Sequence, residues 1–200
     1  MIDVNLFRPY KGLIFDMDGT LVDTMPCHAR AWEMVGEHLG YPTKGDVLYQ
    51  LGGASVRTIA METMKKYGIP MELLEQVIQL KRQFGIELIQ QQSTLLPAAE
   101  VVKHFYGQVP LALGTGSHKV VVDMILQKHQ IAPYFEAIVT ADDVTKHKPE
   151  PDTFLRCAEL MAVDPRQCVV FEDADLGVQA GLRAGMDVFD VRINQLIKYA

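Results

Sequence analysis

The chain has 200 residues, 48% hydrophobic and 22% charged, which suits one globular domain with a modest insert. Its formal net charge of −6 argues against a broad nucleic-acid surface, which requires a basic patch. No apolar run approaches the roughly 18 residues that a membrane span requires, and residues 1–10 lack the pattern of a signal peptide. The three cysteines match no zinc-binding spacing, and the reducing cytoplasm is the simplest setting for them: Cys27, Cys157 and Cys168.

The first predicted strand, residues 11–15, is an apolar run that stops at Asp16. Consecutive rather than alternating apolar residues indicate a strand buried on both faces. Similar runs predict strands at 110–114, 137–139 and 168–171, and more weakly at 186–189. Helical spacing predicts helices at 98–106, 119–129, 151–161 and 176–184. Strands that alternate with helices predict an α/β fold with a Rossmann-like parallel sheet.

One interval, residues 26–92, breaks this alternation because its apolar residues have helical spacing and form no convincing strand. Glycine and proline turns divide the interval into segments at 40–42, 52–53 and 68–70. We therefore predict an all-helical domain at 24–94, inserted into an α/β core made of residues 1–23 and 95–200.

Polar residues follow four of the predicted strands: Asp16-Met17-Asp18-Gly19-Thr20, Thr115-Gly116-Ser117, Lys148-Pro149 and Glu172-Asp173. Ligands of open α/β sheets bind beyond the carboxyl ends of the strands, so these groups are expected at one edge. Asp16, Asp18 and Asp173 would together offer the hard oxygen ligands that Mg²⁺ accepts. Lys148 and Thr115 suit a phosphate group as a point charge and a hydroxyl donor.

Each group, taken alone, also has a purely structural explanation. An Asp-x-Asp pair at a strand end is often part of a turn, and Lys148 could be an ordinary surface lysine. The groups at 115–117 and 172–173 precede helices and could be N-terminal caps. The ordered set of four favours phosphoryl chemistry, because chance rarely produces it.

These four groups, with Lys148-Pro149-Glu150-Pro151-Asp152, resemble in order and spacing the motifs of the haloacid dehalogenase superfamily. The resemblance covers essentially the whole chain. Residues 16–24 and 171–174 resemble its β-phosphoglucomutase-like branch, which carries a helical cap. Residues 112–117 and 170–175 look closest to bacterial sugar phosphatases that accept fructose 1-phosphate.

The resemblance implies a magnesium-dependent phosphatase in which Asp16 attacks phosphorus and forms an aspartyl-phosphate. Asp18 would protonate the leaving oxygen and then remove a proton from the attacking water. Lys148, Thr115 and backbone N–H groups near Asp18 and Gly116 would stabilise the transferring group.

The resemblance also implies a metal site made by Asp16, Asp18, Asp173 and Glu172, in which Glu172 orders the metal's waters. Gly116 and Ser117 are expected to bind the substrate. His28, one helical turn before Trp32, matches a family position in the first cap helix and could reach the substrate. A solvated or core-edge histidine would explain His28 equally well.

The cap loop at 51–57 departs from the β-phosphoglucomutase pattern Lys-Gly-Val-Ser-Arg, whose Lys and Arg serve a bisphosphate. Gly52 and Val56 stand in those two places, and Arg57 follows one residue later, a rotation of ~100° on a helix. This favours hydrolysis of a monophosphate, with Arg57 as a candidate substrate ligand. Lys81-Arg82 could supply a cap cation or lie on a solvated helix face.

Three functions therefore stand in order: a sugar-monophosphate phosphatase, a β-phosphoglucomutase, and a phospho-accepting signalling domain. The helical insert and the Asp-x-Asp-Gly-Thr run argue against the third. We expect a monomer that acts on a small phosphorylated substrate, with no nucleic-acid or membrane partner.

Overall fold

The structure is a computed structural model that describes residues 2–51 and 54–199. The chain divides into two compact units. The first unit contains the described parts of Met1–Asp23 and Thr94–Ala200, and the second those of Thr24–Ser93. Within the described ranges, no helix is both long and apolar enough to cross a membrane.

The strands of the first unit are β1 (Gly12–Phe15), β2 (Val22–Asp23), β3 (Thr94–Leu95), β4 (Leu111–Gly114), β5 (Ala137–Val139), β6 (Cys168–Glu172), β7 (Asp187–Asp190) and β8 (Gln195–Ile197). Six of these described strands form one sheet in the order β5-β4-β1-β6-β7-β8. Neighbours in this sheet are parallel except β7 and β8. This mainly parallel sheet confirms the predicted Rossmann-like α/β fold.

The α-helices of the described residues are α1 (Met25–Leu39), α2 (Asp46–Gln50), α3 (Val56–Tyr67), α4 (Leu74–Gln92), α5 (Ala98–Phe105), α6 (Lys119–His129), α7 (Asp152–Leu160) and α8 (Asp175–Arg183). Short 3-10 helices occupy Val4–Phe7, Met71–Leu73, Ala132–Tyr134, Ala141–Asp143 and Pro165–Gln167. The strands and helices predicted for the core are confirmed to within about two residues, the usual uncertainty of element ends.

The central strands are buried on both faces because consecutive side chains alternate between two apolar clusters. Phe15, Phe171 and Phe189 are neighbours across β1, β6 and β7. Phe7 packs against the last two, with ring centroids 4.6 and 5.0 Å away. The preceding strand residues belong to the other cluster, which includes residues of α7 and α8: Ile14, Val170 and Val188. The consecutive apolar residues of the predicted strands therefore reflect two-sided burial.

The sequence analysis did not predict β2, β3 or β8, because no apolar pattern marks them. Both residues of β3 are exposed, and β8 has no fully buried residue. β2 and β3 form an antiparallel pair in which Val22 faces Leu95 and Asp23 faces Thr94. This pair lies where the chain leaves the first unit and where it returns to it.

The second unit contains α1 to α4, so the described part of the interval predicted to be helical is helical. Its helices bury an apolar cluster that includes Trp32, Met64 and Val77. Gly40 ends α1 and Gly68 ends α3, both with positive φ, at 78° and 70°. These two turns use the left-handed conformation that glycine adopts without strain.

Candidate active site

Asp16, Lys148 and Glu172 form a buried ion-pair network at the carboxyl edge of the sheet. Asp16 directly follows β1, and Glu172 ends the neighbouring strand β6. Lys148 Nζ donates hydrogen bonds to Asp16 Oδ1 and Glu172 Oε1, both at 2.6 Å. The lysine is 9% exposed and the two carboxylates 6% and 1%, so the charges have little access to water. Buried charges of this kind persist only when they are paired.

The electrostatics of the cluster leave an excess of negative charge. Burial disfavours the charged form of Lys148, but Asp16 and Glu172 outweigh it and raise the pKa of this lysine. Burial raises the pKa of Asp16 well above its ordinary value, against the effect of Lys148. Burial, reinforced by Glu172, also raises the pKa of Asp173 to about 6. One lysine therefore does not balance the carboxylates around it.

The donor set fits a divalent cation such as Mg²⁺. Asp16, Glu172 and Asp173 each offer a carboxylate oxygen, and these oxygens lie within 4.8 Å of one another. Mg²⁺ prefers oxygen ligands, and its charge would offset the repulsion among the carboxylates. The residues that carry this cluster are three of the four predicted from sequence as metal residues.

Glu172 differs from the other carboxylates because both its oxygens accept hydrogen bonds. Oε1 accepts Lys148, and Oε2 accepts the backbone N–H groups of Asp173 and Ala174 at 2.9 Å. The side chain therefore shapes the loop that carries Asp173. This geometry agrees better with an ordering role than with direct coordination.

Gly19 and Thr20 hold Asp173, a role that the sequence analysis did not assign to them. Thr20 Oγ1 donates to Asp173 Oδ1 at 3.0 Å. Gly19 has φ +84°, and a Cβ there would lie 2.2 Å from Asp173 Oδ2. The only sequence signal was the position of both residues directly after the Asp-x-Asp pair.

Asp18 lies apart from the three-carboxylate cluster of the described residues. Its Oδ2 accepts a hydrogen bond from Ser117 Oγ at 2.6 Å. Thr115 is buried at the end of β4, and its Oγ1 accepts the N–H of Ser117 at 3.0 Å. Gly116 between them is exposed. The structure thus joins Ser117, a predicted substrate ligand, to the predicted acid/base Asp18.

The predicted substrate ligands of the second unit have partners within that unit. His28 Nδ1 lies 3.1 Å from Lys81 Nζ. Lys81 is only 6% exposed, so its predicted place on a solvated helix face is wrong, whereas Arg82 is exposed. Arg57 is half-exposed and pairs with Glu75 at 2.8 Å. Gly52, the other position of the cap-loop argument, lies outside the described residues.

Residues 13–191 match the family described as haloacid dehalogenase-like hydrolase. The match spans all four predicted motifs. This chain belongs to the haloacid dehalogenase-like hydrolase family. The resemblance identified from the motifs is therefore confirmed.

The hydrolase is similar to two curated bacterial proteins over nearly its whole length. An uncharacterized protein of Haemophilus influenzae is 58% identical over 98% of both chains. The fructose-1-phosphate phosphatase YqaB of Escherichia coli is 41% identical, over 94% of this chain and 100% of that protein. The family and its phosphatase-named members confirm the prediction that this hydrolase is a phosphatase.

The fold of the hydrolase also matches solved structures. The crystal structure of β-phosphoglucomutase from Clostridium difficile superposes with a TM-score of 0.75 and covers 90% of this chain and 84% of that chain. Its sequence identity is 24%, so this likeness shows a common fold.

Proposed function

We propose that this hydrolase is a magnesium-dependent phosphatase of small sugar monophosphates of the fructose 1-phosphate type, with Asp16 as the nucleophile. The observation that carries the proposal is the network in which Lys148 bridges Asp16 and Glu172 beside Asp173. It puts a nucleophile, a cation for the phosphate and metal ligands at one sheet edge. The likeness to a fructose-1-phosphate phosphatase supports the substrate class.

In the first step, an Asp16 carboxylate oxygen forms a bond to phosphorus while the bond from phosphorus to the sugar oxygen breaks. Asp18 gives its proton to the leaving sugar oxygen. Lys148 fixes the direction of the Asp16 carboxylate through Oδ1, and its charge and the Thr115 hydroxyl stabilise the transferring group. Mg²⁺ bound by Asp16 and Asp173 would supply Lewis-acid stabilisation of the phosphoryl oxygens.

In the second step, a water oxygen bonds to phosphorus and the bond between phosphorus and Asp16 breaks. Asp18, now ionised, takes a proton from that water. The products are inorganic phosphate and the free Asp16 carboxylate, and Asp18 is protonated again. In this proposal the second unit is the cap domain predicted at 24–94, which keeps bulk water from the intermediate.

Hydrolysis is favoured over mutase chemistry by the cap loop. The positions that serve a bisphosphate in the mutase pattern are Gly52 and Val56 here. The nearby Arg57 is paired with Glu75, at 2.8 Å, in the second unit. A monophosphate requires no second phosphate site, so this loop suits a phosphatase.

The test is a panel of sugar and nucleotide monophosphates, measured for phosphate release with and without Mg²⁺. We expect the highest kcat/KM for fructose 1-phosphate and related sugar phosphates, and release that stops when Mg²⁺ is chelated. Production of glucose 6-phosphate from β-glucose 1-phosphate and its bisphosphate primer, without free phosphate, would establish the mutase instead. A protein that takes up a stable phosphate and hydrolyses no ester would support the signalling alternative.

The cytoplasmic location and the monomeric state belong to the same proposal. Light scattering coupled to size-exclusion chromatography measures the mass in solution directly. A mass equal to one chain is expected, and a mass of two chains would contradict that part of the proposal.

A further inference from the structure

Ser117 and Asp18 come from loops that follow two adjacent parallel strands, β4 and β1. The Ser117 hydroxyl donates to Asp18 Oδ2 at 2.6 Å, although the two residues are 99 positions apart in sequence. This distance is at the short end for a hydroxyl and a carboxylate, as expected when the acceptor is charged. The contact therefore joins the loop after β4 directly to the proposed acid/base.

Ser117 is itself held in place by its backbone. Its N–H donates to Thr115 Oγ1 at 3.0 Å, and its carbonyl accepts the N–H of Ala141 at 3.0 Å. The first bond ties it to the end of β4, and the second to the 3-10 helix after β5. The hydroxyl therefore starts from a fixed position.

The backbone around Asp18 is also fixed. Asp18 forms a β-bridge with Val22, and the N–H of Gly19 donates to the Val22 carbonyl at 2.9 Å. The remaining freedom is rotation of the Asp18 side chain. The hydrogen bond from Ser117 to Oδ2 restricts that rotation and so defines the direction of the other carboxylate oxygen.

We propose that Ser117 is a positioning residue, which acts on the reaction by orienting the Asp18 carboxylate toward the leaving oxygen. This differs from the substrate-binding role expected from the sequence, and it rests on the function of Asp18 proposed above. Proton transfer between positioned groups accelerates reactions by roughly 10²- to 10⁴-fold, so orientation of the acid affects the rate directly.

The test compares Ser117→Ala with Ser117→Thr on two substrates, fructose 1-phosphate and p-nitrophenyl phosphate. A sugar alkoxide leaves only if it is protonated, whereas p-nitrophenolate is a weak base that leaves without an acid. The measured quantity is kcat/KM, which reports the steps up to formation of the phosphorylated Asp16. The ratio of kcat/KM for the two substrates does not depend on the folded fraction of a variant.

We expect Ser117→Ala to lower this sugar-to-aryl ratio about tenfold, the effect of one hydrogen bond to a charged group. Ser117→Thr, which keeps the hydroxyl, should restore most of the ratio. Asp18→Asn should lower it further. Equal losses on both substrates, or no loss, in Ser117→Ala would overturn the positioning role.

The Asp18→Asn variant separates the two proposals. If it lowers the ratio and Ser117→Ala does not, only the role of Ser117 is overturned. If Asp18→Asn leaves the ratio unchanged, the acid role of Asp18 fails, and the positioning role fails with it.

Discussion

Glu172 occupies the space that a side chain on Gly177 would need. A Cβ on Gly177, in the first turn of α8, would lie 1.8 Å from Glu172 Oε1. The same oxygen accepts the hydrogen bond from Lys148. Only glycine leaves room for the Glu172 carboxylate at this position, so a helix residue without a side chain shapes the ion-pair network.

We predict that Gly177→Ala lowers kcat/KM by at least about tenfold, because Glu172 must move and Lys148 loses a hydrogen bond to a charged group. Alanine is the better helix former by about 1 kcal/mol, so helix propensity alone would stabilise the variant. Gly181→Ala on the same helix is the control, since its Cβ would meet Val188 Cγ2 at 2.6 Å in the core. That control should lower Tm and leave kcat/KM near the wild-type value. A fully active Gly177→Ala would contradict the role given to Glu172.

Gly19→Ala should raise the Mg²⁺ concentration required for half-maximal activity. Its Cβ would lie 2.2 Å from Asp173 Oδ2, so the carboxylate must leave its place beside Thr20. Gly40→Ala is matched for backbone strain, because Gly40 also has a positive φ, +78°, with nothing within 4 Å of its Cβ position. Both variants should lose about 1–2 kcal/mol of stability from this strain. An equal Mg²⁺ requirement in Gly19→Ala and Gly40→Ala would show that Gly19 does not serve Asp173.

Asp190 should stabilise the fold only above acidic pH. Arg192 donates to both its oxygens, at 3.0 and 2.7 Å, and these hydrogen bonds lower the pKa of Asp190. A lowered pKa gives stability that is complete above the unfolded value of about 4 and is lost as pH falls through the folded value. Because Arg192 is half-exposed, we expect Asp190→Asn to cost only about 1 kcal/mol, or about 2–4 °C in Tm, at pH 7.

Thermal unfolding at several pH values checks this expectation. The difference in Tm between wild type and Asp190→Asn should shrink below about pH 4, where the unfolded chain is protonated. Glu159→Gln, which breaks the exposed pair of Glu159 with Arg156, is the control and should change Tm little. A difference that grows on acidification would have the wrong sign for a lowered pKa.

The sequence predicted the buried strands and the order of the motif residues because both depend on local patterns. β1 and β6 are apolar runs that end at carboxylates, and their pairing could be inferred from the alternation of strands and helices. The contact of Ser117 with Asp18 could not, because it depends on how two loops 99 residues apart meet. The space taken by Glu172 beside Gly177 could not either, since a glycine in a helix gives no indication of its neighbour.

The most direct test of the proposed function is to detect the phosphoryl group on Asp16. Wild type and Asp16→Asn are mixed with fructose 1-phosphate and Mg²⁺, quenched in acid within one turnover, digested and analysed by mass spectrometry. We predict a transient phosphoryl group on the peptide containing Asp16 in the wild type, and neither phosphopeptide nor turnover in a folded Asp16→Asn. Turnover by the wild type with no phosphorylated peptide, or hydrolysis by Asp16→Asn at the wild-type rate, would contradict the account.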